Sequence, residues 1–194
     1  NRATLTGKQQ HALSQDGIDA IIPAVSEAAK SGKIDAIFMT ANQQAVLPYL
    51  SDKLNAAGVT SAQTQYMGLS RWDIPAARLS LPGVQGGWFA LPDTTLQGDF
   101  VNRYRAAYGE APHDLGSLGY DGVAAIAALV GSGNKNAVNT VGLTRPAGFT
   151  GINGVFRLRP NGTNERGMSI ATINAGKVVI IDPAPRSFGG GFGF

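Results

Sequence analysis

Between residues 16 and 91 the chain alternates amphipathic stretches with short apolar runs, and few architectures accept that order. Ile18, Ile21, Ile22 and Val25 recur at helical spacing after Asp16-Gly17, and Gly32 can end the helix they define. Pro23 is expected near its first turn, where proline is tolerated. Ile34-Asp35-Ala36-Ile37-Phe38-Met39 reads as a short buried strand. Asn42 is a suitable N-cap for a second helix carrying Val46, Leu47, Leu50 and Leu54 and closed by Gly58. Tyr66-Met67-Gly68-Leu69 is a second strand, and the segment from Val84 to Leu91 a third. Short apolar strands interleaved with helices dictate an α/β architecture, a parallel sheet with helices on its faces. A doubly wound sheet ordinarily begins on a strand, whereas this order begins on a helix. An N-terminal half is therefore expected to be missing, and the opening Asn1-Arg2-Ala3, without an initiator Met, gives the same expectation.

Beyond residue 92 the pattern changes. Thr94 or Thr95 can cap a helix with Phe100, Tyr104 and Tyr108 that ends at Gly109. After Ala111-Pro112-His113, the stretch from Leu115 to Val130 holds a single charge, Asp121, so this helix is expected to be buried on most sides. Asn134 can cap a short helix to Val141, and Leu143 to Gly151 reads as a loop. Residues 154–159 alternate apolar and charged, as a half-exposed strand does. Asn161-Gly162 and Ala175-Gly176 are turn signals flanking strands at 167–174 and 177–181, which makes an antiparallel meander. Residues 183–194 have Pro, Gly and Phe without period and are expected to be mobile or to pack as a strap.

Charge and composition narrow the functions. Sixteen basic and thirteen acidic side chains leave a net charge of +3 with no Lys/Arg run. Nucleic-acid binders carry a clustered basic face, so no nucleic-acid partner is expected. The absence of Cys rules out thiol catalysis, Cys-based zinc sites and disulfides within these residues. No apolar run reaches the ~20 residues that span a bilayer.

The search for chemistry gives little. His11 and His113 are far apart and outside any metalloprotease spacing. There is no nucleophile elbow, P-loop or dinucleotide fingerprint. Asp16 with Asp19, and Asp93 with Asp99, flank helix starts, where the helix dipole accounts for them. No enzyme, metal or cofactor is expected. Ligands of open α/β sheets bind beyond the carboxyl ends of the strands. Those ends supply Thr40, Asn42 and Gln43 after the first strand and Ser70, Arg71 and Trp72 after the second. Asn42 could equally be only a helix cap, and Trp72 could pack on its own lobe.

An ordered set of motifs carries a resemblance. It runs from Ile34-Asp35-Ala36-Ile37-Phe38 through Gln65-Tyr66-Met67-Gly68, Val84-Gln85-Gly86-Gly87-Trp88-Phe89 and Phe100-Val101-Asn102-Arg103-Tyr104. Tyr108-Gly109-Glu110-Ala111-Pro112, Tyr120-Asp121-Gly122-Val123 and Phe149-Thr150-Gly151-Ile152-Asn153-Gly154-Val155-Phe156-Arg157-Leu158 continue it. Over residues 16 to about 182 the chain resembles the leucine/isoleucine/valine-binding type of periplasmic binding protein type I. The resemblance implies a two-lobed fold with a parallel sheet sandwiched by helices and C-terminal antiparallel hairpins. It implies that residues 1–92 and the hairpins at 146–182 form the second lobe, and that the helices at 93–145 belong to the first. Residues 183–194 are left as a tail, and the chain's own N-terminal lobe becomes a partner.

Within that family the Arg71-Trp72-Asp73 loop and the segment from Asp182 to Gly190 look most like penicillin-binding protein activators, outer-membrane lipoproteins of alphaproteobacteria. This implies a periplasmic regulator of cell-wall synthesis that contacts a penicillin-binding protein. The other expectation is a solute receptor handing a small polar or amino-acid-like ligand to an ABC permease. Amino-acid receptors of the family place an aromatic residue where Asn42 stands and an acidic one near Ser70. This chain has neither, and a buried ammonium without a carboxylate is costly.

Overall fold

A computed structural model describes residues 3–40, 46–69, 71–93, 95–113, 115–134 and 136–188. By internal packing the chain divides into two units. Unit 1 comprises residues 1–90 and 170–181, and unit 2 residues 91–169 and 182–193. Of the hairpin region at 146–182, residues 170–181 fall in unit 1 and the rest in unit 2.

In unit 1, α1 (Gln15–Lys30) is capped by Ser14, whose side chain accepts from the Gly17 N–H at 3.1 Å. Pro23 stands well inside this helix rather than in its first turn, because the helix begins three residues before Ile18. Strand β1 (Ala36–Met39), α2 (Val46–Ala56) and β2 (Gln65–Gly68) follow, with Gly58 at φ 77° closing the helix. Strand β3 is Trp88–Leu91, four residues later than the apolar run suggests. Val84 is drawn into a 3₁₀ turn, Pro82–Val84, and the Gln85 amide donates to the carbonyls of Leu79 and Leu81 at 2.7 and 2.9 Å. The chain straightens only after Gly86, at φ 73°. β1, β2 and β3 are parallel neighbours, and β7 (Ser169–Asn174) and β8 (Lys177–Asp182) complete the five-stranded order β1-β2-β3-β7-β8. Ala175 and Gly176, at φ 49° and 74°, form the tight turn of the β7–β8 hairpin.

The core of unit 1 lies on one sheet face. Leu47 and Leu54 of α2, with Val59, Tyr66, Phe89 and Ile173, are almost fully excluded from solvent. The Tyr66 hydroxyl donates to the Val59 carbonyl, and burial pushes its phenol above the ordinary tyrosine range. Arg78 is also buried. Its Nη1 has no hydrogen-bond partner among the described residues, and desolvation holds the guanidinium below its usual value.

Unit 2 contains α3 (Gln97–Tyr108), α4 (Gly116–Val130), the single-turn α5 (Thr140–Leu143) and a three-stranded antiparallel sheet. The strands are β4 (Phe149–Gly151), β5 (Gly154–Leu158) and β6 (Asn164–Arg166). Asp93 accepts from the Thr95 N–H ahead of α3 at 2.9 Å. Asn139 caps α5, while Asn134 closes only a local turn onto Asn136. Ala125 and Leu129 of α4 pack on Phe149 and Phe156. On the sheet's other face Arg157 and Arg159 converge on Glu165, and hydrogen bonds from Arg159 and then Arg157 hold that carboxyl below its usual range. Residues 183–188 pack as a strap after β8. The Ala184 N–H donates to Ser169 Oγ at 3.0 Å, and the Phe188 ring lies 4.5 Å from the Arg157 guanidinium carbon.

Candidate functional site

Parallel register aligns the strand ends of unit 1. Met39 pairs with Gly68, and Gly68 with Phe89, so Thr40 and Leu69 emerge side by side at the carboxyl edge. Thr40 is exposed and Leu69 is 58% exposed. Asn42, Gln43 and Ser70, the other polar candidates at this edge, lie outside the described residues.

Arg71 takes a left-handed backbone, φ 57°, uncommon for a residue with a side chain. Its guanidinium grips Asp73 in a two-point ion pair, Nε to Oδ1 at 3.0 Å and Nη2 to Oδ2 at 3.2 Å. The two side chains are only 28% and 18% exposed. The carboxylate that could have met a ligand ammonium is therefore already neutralised within its own loop.

Trp72, expected as a possible ligand-facing indole, is instead a core residue, 1% exposed. Its ring stacks on Phe89 with centroids 6.1 Å apart and planes 9° from parallel. The cause is a flat seat. Gly68 on β2 and Gly87 just before β3 lie beneath the indole, and a Cβ at either position would overlap the ring. The alternative in which Trp72 packs on its own lobe is the one realised. Among the described residues the edge thus offers a hydroxyl, an apolar side chain and an internally neutral ion pair.

A second polar cluster sits in unit 2, away from these strand ends in the chain. Asp121, 1% exposed on α4, accepts from the Ile152 N–H at 2.6 Å and from Arg166 Nη1 at 3.0 Å. Asn153 Nδ2 donates to Ser117 Oγ at 2.7 Å beside it. Gly151 is required here, since a Cβ would meet the Asp121 carboxyl carbon at 2.5 Å. Asp121 was not among the sequence candidates. Its signal was a lone charge in an otherwise apolar helix, and its role is to clamp α4 to the β4–β5 turn. His113 Nδ1 accepts from the Leu115 N–H at 3.1 Å, a capping contact. No group of residues able to hold a metal ion occurs among those described. A shallow hollow of about 250 Å³ lined by Lys30, Gly58, Gln63 and Thr64 adjoins the start of β2, at the opposite end from the candidate edge. No described helix is long and apolar enough to cross a membrane.

Comparison with curated protein sequences finds no match. Among solved structures, the chain is similar to a branched-chain amino acid ABC transporter periplasmic ligand-binding protein from Burkholderia xenovorans. The identity is 18% and the TM-score 0.59, over 87% of this chain and 49% of that one. A solute-binding protein of an ABC transporter from R. palustris, in complex with benzoate, gives 19%, 0.52, 86% and 47%. The LpoA C-domain from Haemophilus influenzae, a regulator of PBP1A, gives 15%, 0.53, 82% and 49%. At these identities the likeness is one of fold, and the chain spans about half the length of these three structures. The sequence profile described as Periplasmic binding protein matches residues 1–177, and the chain therefore belongs to the periplasmic binding protein family.

Proposed function

We propose that this chain is part of a non-enzymatic periplasmic protein that regulates cell-wall synthesis by contacting a penicillin-binding protein. The observation that carries the reading is the closed Arg71–Asp73 pair together with the buried Trp72. The carboxylate and the indole that would grip a free amino acid are both engaged inside the lobe. An ammonium brought to this edge would have to break a two-point ion pair to find a counter-charge, which is unfavourable. The fold likeness to the LpoA C-domain supports the same reading. In this role Thr40, Asn42, Gln43, Ser70 and Arg71 form a contact rim rather than a ligand cage, and anchoring of the intact protein to the outer membrane fits it.

The second reading, a solute receptor feeding an ABC permease, is favoured by the higher TM-score of the Burkholderia xenovorans ligand-binding protein. One experiment separates them. The intact protein is titrated with the twenty amino acids and with benzoate in a thermal-shift assay, and in parallel with a purified penicillin-binding protein ectodomain by interferometry. A regulator shows saturable ectodomain binding and no thermal shift. A small molecule present at about 100 times its Kd adds ~2.7 kcal/mol of stability, and a shift of that size without ectodomain binding overturns the proposal.

A further inference from the structure

Asn-Gly occurs at Asn153-Gly154 and at Asn161-Gly162, and the fold treats the two pairs oppositely. Asparagine before glycine is prone to attack by the next backbone nitrogen on its side-chain amide, since glycine has no Cβ to hinder the approach. Asn153 is 5% exposed, and its Nδ2 donates to Ser117 Oγ at 2.7 Å. Gly154 is closely packed as well, because a Cβ there would stand 2.7 Å from the Gly167 carbonyl oxygen. This pair is locked into the interior of unit 2.

Asn161-Gly162 stands at the tip of the β5–β6 hairpin. Both residues are exposed, and nothing lies within 4 Å of the place where a Gly162 Cβ would be. Asn161 Oδ1 accepts from the Thr163 N–H at 3.1 Å and from the Thr163 hydroxyl at 2.7 Å. Two donors on one carbonyl oxygen draw electron density from Cγ, and they sit where negative charge gathers in a tetrahedral intermediate. The Gly162 N–H is tied to the turn through the Arg159 carbonyl at 3.0 Å. A hydrogen bond at an exposed hairpin tip opens at little cost. The hairpin is also cationic, since Arg157 and Arg159 share the carboxylate of Glu165.

We propose that Asn161 is a self-modification site, converted to aspartate or isoaspartate without an enzyme, and that Thr163 promotes the change as a positioning residue. The Gly162 nitrogen loses its proton to a base from solvent and attacks Asn161 Cγ. The N–Cγ bond forms, and the negative charge passes to Oδ1 beneath the two Thr163 donors. The Cγ–Nδ2 bond then breaks, and the amide nitrogen takes up a proton and leaves as ammonia. Water opens the resulting succinimide at either carbonyl, which gives the two acids. The product adds a carboxylate to a hairpin whose paired arginines have one acid between them, a charge change of the kind that alters a surface contact. The site serves a regulator and a receptor alike.

The intact protein is aged in mildly alkaline buffer, and peptide mapping by mass spectrometry follows the amide-to-acid change at each asparagine, with a fresh sample as the zero. Conversion at Asn161 should outpace that at Asn153 by at least about 10-fold, since a locked site reacts only through opening. In denaturant the two rates should become equal. No conversion at Asn161, or equal rates in the folded protein, overturns the proposal. So does a difference that persists in denaturant, which would belong to the neighbouring residues and not to the fold. Thr163→Val removes the hydroxyl and should slow Asn161 by roughly 2- to 10-fold, the worth of one hydrogen bond. Thr163→Ser restores the hydroxyl and should restore the rate. An unchanged or faster rate in Thr163→Val, with the fold intact by circular dichroism, overturns the role given to Thr163. Should Thr163→Val misfold, a Thr163→Ser rate well below the parent's overturns it instead.

Discussion

Replacing Trp72 by Ala tests whether the indole is a core element or a binding surface. A buried tryptophan removes about 200 Å² from water, and at ~25 cal/mol per Å² that is about 5 kcal/mol. Residual burial in the unfolded chain lowers the figure by 10–40%, leaving about 3–4.5 kcal/mol, within the usual range for such truncations. Against a total stability of ~5–15 kcal/mol this is severe. The two glycines give the sharper measurement. A methyl at Gly87 overlaps the ring, so Gly87→Ala should cost about 2 kcal/mol or more through forced overpacking. With the ring gone, the same methyl has room. In the Trp72→Ala background Gly87→Ala should therefore cost under ~0.5 kcal/mol, a coupling of well over 1 kcal/mol in the double-mutant cycle. Urea unfolding of the intact protein, followed by circular dichroism, reads all four corners. The reasoning fails if Trp72→Ala costs less than ~1 kcal/mol, or if the two changes are additive.

Further predictions follow from buried charges and from acid titration. Asp121→Asn should destabilise by ~3–5 kcal/mol, because it leaves the Arg166 guanidinium, 18% exposed, without its counter-charge. Chemical denaturation checks this, and an effect below ~1 kcal/mol would contradict the clamp. Arg78→Met should stabilise, by ~1–3 kcal/mol, since it removes a buried donor that has no acceptor among the described residues. A lower melting temperature for Arg78→Met would mean that an anion or a carboxylate from elsewhere pairs with it. Asp93 is held below its ordinary value, first by hydrogen bonds from Thr95 and then by the Arg186 charge. A carboxyl with a depressed native pKa stabilises the fold above the unfolded value, about 3.9, and loses that contribution as pH falls through the native one. The melting-temperature gap between the parent and Asp93→Asn should therefore be wide at pH 7 and shrink below pH ~4. A gap that is constant with pH refutes the assignment.

Local chemistry made parts of this fold legible. Gly58 and Gly109, at φ 77° and 80°, end helices where the sequence places the ends, because the left-handed cap is a property of one residue. Turns at Gly162 and Gly176 were readable for the same reason. What depends on distant partners was not. The three residues of β4 are too few to show a period, and they become a strand only by pairing Phe149 with Phe156. Strand β6 was hidden because Asn164, Glu165 and Arg166 lack strand propensity and are held by β5. The carboxyl ends of β1 and β2 were legible as positions, from the order of helices and strands. The direction of Trp72 was not, since it is decided by Gly68 and Gly87, nineteen residues apart and brought together by strand register.

The contact between Ser169 Oγ and the Ala184 N–H, 3.0 Å long, joins positions fifteen residues apart. The β7–β8 hairpin therefore leaves unit 2 and re-enters it at one point. For that unit the hairpin is a graft on a pinched stem, the arrangement that lets domains accept insertions and exchanges. Lengthening such an excursion adds only ~0.6 kcal/mol of closure entropy per doubling. Hairpins from other family members can therefore be exchanged between Ser169 and Ala184 while the clamp at Asp121 and the α4–β4 packing persist, provided that the buried Ala171 and Ile173 and the place beside β3 are kept for the sheet of unit 1. The stem is where a chimera of two family members should be cut.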